Sequence, residues 1–209
     1  MEWTFDKIIS TEKELREILG HPQEIVTRKA INYIDENCRA FIENSPFITI
    51  ATSDLDGNLD VSPKGDPPGF VKILNSKMLA IPDRPGNRRA DTFTNLIKNP
   101  AIGLIFLIPG VKETLRVNGE AKIATDKKVL ELLSCEGKLP LFAIIVNVKE
   151  AFMHCAKCMI RSKLWMSSDD AKERAVPSLA KALIDHSKID ITYQELDDQI
   201  KEDEKTNLY

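Results

Sequence analysis

The chain lacks most of the features that would place it outside ordinary globular proteins. Its longest apolar run, residues 101–109, falls far short of the roughly 20 residues a membrane-spanning helix needs. The N-terminal MEWTFDKIIS has no charged-then-apolar leader pattern, so the expectation is a soluble, cytoplasmic protein with no membrane partner. A surplus of positive charge is also missing: 29 Lys and Arg against 32 Asp and Glu give a formal net charge of −3. No global field draws in nucleic acid, and any anion site must be local. Cysteine is scarce, with only Cys38, Cys135, Cys155 and Cys158, and without an export signal these read as free thiols. His154, Cys155 and Cys158 are metal-ligand types, but a zinc site needs about four ligands and the sequence has no second such cluster, so no metal is expected. The three histidines, His21, His154 and His186, lie in unrelated settings. With no nucleophile elbow, nucleophilic catalysis has little support. Walker-type and GxGxxG loops are absent too. Hydrolysis by paired carboxylates stays open, because such pairs meet in space.

What is present is a chain of 209 residues, 43% hydrophobic and 29% charged, enough for one domain with appendages or two small ones. Residues 1–45 read as helical packing elements. Thr11 to Glu14 forms a capping box ahead of Leu15, Ile18 and Leu19. After Gly20-His21-Pro22, a second helix is expected from near Gln23, with Ala30, Tyr33, Ile34, Cys38, Phe41 and Ile42 as its stripe. From Pro46 the period changes to that of strands: 47–53, 59–62, 70–74, 78–81, 102–108, 114–124 and 142–148. Residues 63–69 hold too much proline and glycine for a regular strand, and 102–108 reads as a strand buried on both faces. Asp126 caps a short helix, and helices follow at 155–164, after Pro177, and after the capping box Thr192 to Glu195. A polar loop follows Trp165. Hairpin-linked strands with one helix inserted late indicate a mainly antiparallel β fold, a small barrel with flanking helices. The expected division is a helical extension over 1–45, a barrel over 46–166 and a second helical extension over 167–209.

The barrel reading converges on Ile81 to Asp91, IPDRPGNRRAD. A strand runs into Pro82-Asp83, the chain turns through Arg84 to Asn87, and a helix follows from Ala90 to Lys98. Arg88 and Arg89 then fall at the first turn of a helix, where cations oppose the dipole unless an anion lies there as well. Free N–H groups beside guanidinium forks suit a phosphate. Solvent-facing arginines in a simple connection account for the same residues equally well. Other basic or backbone-donating stretches are Ser62-Pro63-Lys64-Gly65, Thr114-Leu115-Arg116 and Arg161-Ser162-Lys163, followed by Trp165.

The order of these stretches resembles the pyridoxamine 5′-phosphate oxidase-like flavoproteins, the FMN-binding split-barrel group, and within it a bacterial FMN-dependent subfamily typed on that oxidase. The carrying segments are SPFITIATSDLDGNLDVSPKGDPPGFV (45–71), IPDRPGNRRADTFTNLIKNPAIGLIFLIPG (81–110), ETLRVNGEA (113–121) and HCAKCMIRSKLW (154–165). The resemblance implies a six-stranded split β-barrel and a homodimer with FMN at the subunit interface. It implies a phosphate grip by Arg88 and Arg89 with Asn87 beside them. Ser62, Lys64 and Gly65 would lie along the flavin, Pro82 and Asp83 near the ring or ribityl chain, and Thr114 would be a contact from the partner. Arg161, Lys163 and Trp165 fall in the region that closes the site. Lys64 and Arg116 are candidates for positive charge near the ring.

One departure bears on substrate. The oxidase carries an Arg-x-His pair late in its chain, and Arg161-Ser162-Lys163 has no histidine. The resemblance therefore stops short of pyridoxamine 5′-phosphate as substrate. The expected function is a flavin-dependent oxidoreductase acting on an unidentified small molecule, with NADH or NADPH as a candidate reductant. A deazaflavin-dependent reductase, a B6-vitamer oxidase, and a flavin- or haem-binding module without turnover stand as alternatives.

Overall fold

The computed structural model of the protein describes residues 3–165, 177–187 and 190–206. The polar loop expected after Trp165 lies outside the described residues. Seven strands form one sheet: β1 (Phe47–Ser53), β2 (Leu59–Gly65), β3 (Lys72–Asn75), β4 (Met78–Pro82), β5 (Ala101–Leu107), β6 (Thr114–Ala124) and β7 (Ala143–His154). The helices are α1 (Glu12–Leu19), α2 (Glu24–Arg28), α3 (Glu36–Asn44), α4 (Asp91–Lys98), α5 (Lys127–Leu132), α6 (Lys157–Ser162), α7 (Leu179–Ser187) and α8 (Tyr193–Thr206). Strand order is β2-β1-β5-β6-β7-β4-β3, and every pairing is antiparallel. The fold is mainly antiparallel β with flanking helices, as a split barrel requires, and its seven strands are those read from the sequence, one more than the six that the resemblance implies.

The split follows from two long strands. The first half of β6 pairs with β5, while its second half pairs with the stretch of β7 that also holds β4. The register between β6 and β7 shifts at Asn118/Gly119, which bends the sheet. At Gly119 a β-carbon would run into the carbonyl oxygen of Asn147, so the two backbones approach closely only because no side chain intervenes.

One face of the sheet is dry. Ile48 and Ile50 of β1, Leu104 and Phe106 of β5, Leu115 and Val117 of β6, Ile144 and Val146 of β7, and Leu79 and Ile81 of β4 are all essentially inaccessible to solvent. Removing each such side chain from water stabilises the fold by roughly 1.5–3 kcal/mol. Ile34, Cys38, Phe41 and Ile42 close this core from the α3 side, and Leu96 closes it from α4. Burial pushes the Cys38 thiol up to about 12, so it is inert.

Several sequence expectations are corrected here. The second helix is two, α2 and α3, because Ile31 leaves the helical path to bridge Ala151 and Asp35 starts a new helix by accepting from the Cys38 N–H at 2.8 Å. The capping box of α1 is present, but the helix buries no residue of its own. β2 continues through Pro63 to Gly65. This is tolerated because β2 is an edge strand, where a missing N–H costs no ladder bond on the open side. β5 buries only Ile102, Leu104 and Phe106. Its opposite face, with Ala101 and Ile105, is open to solvent, so the continuous apolar run does not reflect burial on both sides. β7 runs on to His154, well past Val148, and α6 starts correspondingly later. Among the described residues no helix is long and apolar enough to cross a membrane.

Replacing Gly119 with Ala should destabilise the protein by about 3 kcal/mol or more, through forced separation of β6 from β7. Urea unfolding should show a lower midpoint with an unchanged slope.

Candidate functional site

Helix α4 is stitched to the edge of the sheet by side chains on one of its faces. Thr92 Oγ1 donates to Asp60 Oδ2 at 2.6 Å, Asn95 Nδ2 donates to Thr52 Oγ1 at 3.1 Å, and Asn99 Nδ2 donates to Ser53 Oγ at 3.2 Å. The spacing of three, then four, keeps all three on the same side of the helix. These bonds fix where the helix begins relative to β1 and β2. The beginning itself is unusual. Ala90, the residue before the helix, is left-handed at φ 59° and offers no side-chain cap to the first-turn N–H groups. Arg88 is also left-handed, at φ 60°. Two such residues cost on the order of 1 kcal/mol each, and strain of this kind gathers at functional sites.

Arg88 and Arg89 therefore precede the helix instead of occupying its first turn, which is a correction to the sequence reading. The left-handed residues break the helical run, and Asp91 takes the first turn with a charge the dipole favours. The Arg89 N–H donates to Asn87 Oδ1 at 3.0 Å, and its side chain pairs with Asp91 at 2.7 Å. Among the described residues no carboxylate lies within ion-pair distance of Arg88.

This turn forms one wall of a cleft of about 900 Å³ between β2, the 83–93 segment, residues 138–142 and Asp203 of α8. The size is that of a small-molecule site. Ser62, Lys64, Asp83, Asn87, Arg88 and Arg89, all picked out in the sequence, line it together. Alternation along β2 turns Asp60, Ser62 and Lys64 inward and Leu59, Val61 and Pro63 outward. Gly65 and Pro82 end β2 and β4 beside the cleft without lining it.

Arg84 has a different role from its neighbours. It pairs with Asp66 at 2.6 Å with both side chains largely buried, and it donates to the Leu133 carbonyl at 2.9 Å. It braces the turn against the α5 region. Asp83 sits beside it, and burial raises its carboxyl above the ordinary range even though Lys64 and Arg84 pull the other way.

The remaining candidates lie elsewhere in the protomer. Thr114 is buried at the start of β6, opposite His154 of β7, and Arg116 stacks on the Phe152 ring at 5.3 Å. Trp165 Nε1 donates to the Val111 carbonyl at 2.8 Å, tying the end of α6 to the connection that leads into Thr114. Arg161 and Lys163 are exposed on α6 and at its end. Thr114, Arg116, Arg161, Lys163 and Trp165 do not line the cleft. Sequence reasoning missed Asp60, Thr92, Phe93 and the 138–142 segment. Phe93 and Phe142, 5.7 Å apart, join the cleft's two sides. Thr92 was findable as a polar residue on an otherwise core-facing helix stripe, whereas residues 138–142 carry no local signal. Among the described residues no group of three or more His, Cys, Asp or Glu is placed to hold a metal.

Comparison with known proteins identifies the family of the chain. The family model described as pyridoxamine 5′-phosphate oxidase matches residues 34–155, more than half of the chain. No curated protein matches it. Among solved structures, HupZ of Group A Streptococcus is similar at 19% identity, over 57% of this chain and 93% of that one, with a TM-score of 0.48. An FMN-binding protein from Syntrophomonas wolfei is similar at 14% identity, over 56% and 88%, with a TM-score of 0.43. An F420 reductase is similar at 17% identity, over 58% and 98%, with a TM-score of 0.41. At these values the likeness to solved structures carries no functional information.

The raised Asp83 carboxyl has a pH consequence. The folded protein holds this proton more tightly than the unfolded chain. The resulting stabilisation is complete below the ordinary carboxylate range and is lost as pH rises from about pH 4 through the raised value. Melting temperatures of Asp83→Asn and the parent across this window should diverge upward, the variant gaining relative stability as pH rises. Parallel curves would contradict the assignment.

Proposed function

The chain belongs to the pyridoxamine 5′-phosphate oxidase family, and from that premise we propose that it binds FMN in the cleft and serves as a flavin-dependent oxidoreductase on a small molecule. The observation that carries the proposal is the uncapped start of α4 beside Arg88 and Arg89. Unsatisfied first-turn N–H groups next to guanidinium forks are what a phosphate dianion requires. Phosphate here would also offset the crowding of positive charge and the backbone strain at Arg88 and Ala90. Ser62 and Lys64, turned into the cleft from β2, would lie along the flavin, with Gly65, Pro82 and Asp83 at its edge.

Bound flavin supplies the redox chemistry, and the protein orients it and sets its potential. Lys64 would place positive charge beside the ring and raise that potential. Asp83, whose carboxyl burial raises above its ordinary value, would stand beside the flavin in the cleft. The grip on the phosphate rests mainly on Arg88, which among the described residues is in no ion pair, since Arg89 is shared with Asp91.

The working unit on this reading is a homodimer. Thr114 and Arg116 lie outside the protomer's own cleft, on the side of the sheet that carries Val61, Ala51 and Gly103 in one cross-strand row. Leu59 and Val61 on this side are 81% and 67% exposed. An open apolar sheet face of this kind favours a second copy. The partner would then bring its Thr114 and Arg116, with Arg161, Lys163 and Trp165 nearby, to the flavin held by the first protomer. The barrel expected over 46–166 is the flavin-binding unit in this proposal, and the described parts of 1–45 and 167–209 are its helical extensions.

The visible absorption spectrum of the purified protein, with the mass of the chromophore that heat releases, tests the cofactor. A flavin spectrum with the FMN mass is expected, and a deazaflavin or haem spectrum would overturn it. Replacing both Arg88 and Arg89 with Ala should weaken FMN binding by about 3 kcal/mol, or roughly a hundredfold, as measured by flavin fluorescence quenching. Stoichiometric flavin retained in that variant would refute the phosphate grip. Stopped-flow mixing with NADH or NADPH should reduce the bound flavin rapidly, followed by reoxidation by an acceptor. The absence of both steps would leave binding without turnover.

A further inference from the structure

Outside the cleft, at the far end of β6 and β7, two cations lie against one aromatic ring, and a histidine projects from the same face of the sheet. Lys29, in the link between α2 and α3, reaches across to this end of the sheet. Its Nζ donates to the Met153 carbonyl at 3.0 Å and stands 5.1 Å from the centre of the Phe152 ring. Arg116 lies 5.3 Å from the same ring. Phe152 faces Arg116 in the register, and Thr114 faces His154, so all four strand residues project from one face. The Nδ1 atom of His154 is shielded from solvent and, among the described residues, has no hydrogen-bond partner.

Among the described residues neither Lys29 nor Arg116 is in an ion pair. The carboxylate next along β7, Glu150, accepts from Asn118 Nδ2 at 2.7 Å. Carboxylates outnumber cations in this chain, 32 to 29, so two cations left on one ring beside an unsatisfied imidazole nitrogen call for an explanation. Their mutual repulsion and the unmade hydrogen bond both work against folding. An oxyanion among them reverses both effects. Arg116 offers a planar fork, Lys29 a point charge and His154 a third donor once protonated.

We propose that Lys29, Arg116 and His154 form an anion-binding subsite that takes the phosphate or carboxylate group of a small molecule. Because this face is the one that would meet the partner's flavin, the anion is assigned to the substrate. That assignment rests on the flavin reading above, whereas the subsite itself does not. His154 supports the geometry: burial first, and then Arg116 and Lys29, hold its pKa below the ordinary value. An anion seated between them would move it back up.

The test follows the His154 imidazole by NMR while inorganic phosphate is titrated into the full-length protein, once free of flavin and once saturated with FMN. Phosphate should shift the His154 signal saturably and raise its pKa in both states. Lys29→Gln should weaken the apparent phosphate affinity by about fivefold or more, while the Arg88→Ala, Arg89→Ala double variant should leave the His154 response intact. A His154 signal indifferent to phosphate, or an undiminished affinity in a folded Lys29→Gln protein, would overturn the subsite. A response abolished by FMN saturation would show that the site takes the cofactor's own phosphate, and would overturn the substrate assignment. Failure of the parent protein to bind FMN, with the His154 response retained, would remove the flavin reading and leave the anion subsite standing.

Discussion

The close approach of β6 and β7 at Gly119 is the contact on which the rest of the sheet depends. Among the described residues these two strands are the longest and the only ones to serve both halves of the sheet, with β5, β1 and β2 on one side and β4 and β3 on the other. The register shift at Asn118/Gly119 lets one continuous sheet turn its two wings about a single seam. The apolar core then fills the concave side, and α3 closes it with Cys38, Phe41 and Ile42. A β-carbon at this point would force the two strands apart and weaken the seam through which the wings share one core.

From that frame the cleft follows by a chain of polar contacts. The edge of the sheet carries Asp60, Thr52 and Ser53, and these hold α4 through Thr92, Asn95 and Asn99. A buried Arg84–Asp66 pair holds the preceding turn. Between the two anchors the backbone is driven through left-handed conformations at Arg88 and Ala90. The helix start is thus positioned by its surroundings and left uncapped, which is the arrangement an anionic ligand can use. Rigidity around a strained turn is also what lets such a turn persist.

The two faces of the sheet divide the chemistry. The edge of β2 and the α4 turn gather Ser62, Lys64, Arg88 and Arg89, whereas Thr114 and Arg116 project from the opposite end of the long strands. Within the described protomer the two sets stand apart. A paired arrangement, or two separate binding functions on one sheet, gives each set a use, and the Lys29, Arg116 and His154 cluster lies where the second set begins. The N-terminal segment, which reads as packing alone, contributes one of those three residues.

All seven strands, the inserted α4 and the two capping boxes at Thr11 and Thr192 were legible in the sequence, because alternation, turn residues and capping chemistry are local. The grouping of Ser62, Lys64, Asp83, Asn87, Arg88 and Arg89 was legible as a set of basic and backbone-donating stretches. Their meeting in one cleft depended on strand order, which no local pattern specifies. Other features were decided by tertiary structure alone. The break at Ile31 comes from a bridge to Ala151, far away in the sequence. Pro63 stays in a strand because β2 has no outer neighbour. The apolar run of β5 is half exposed because, among the described residues, nothing covers its second face. Arg84 and Arg88 look alike in the sequence, but one is committed to a buried carboxylate and the other is not. Side-chain chemistry is written residue by residue, while the partner each group finds is set by long-range packing of the backbone.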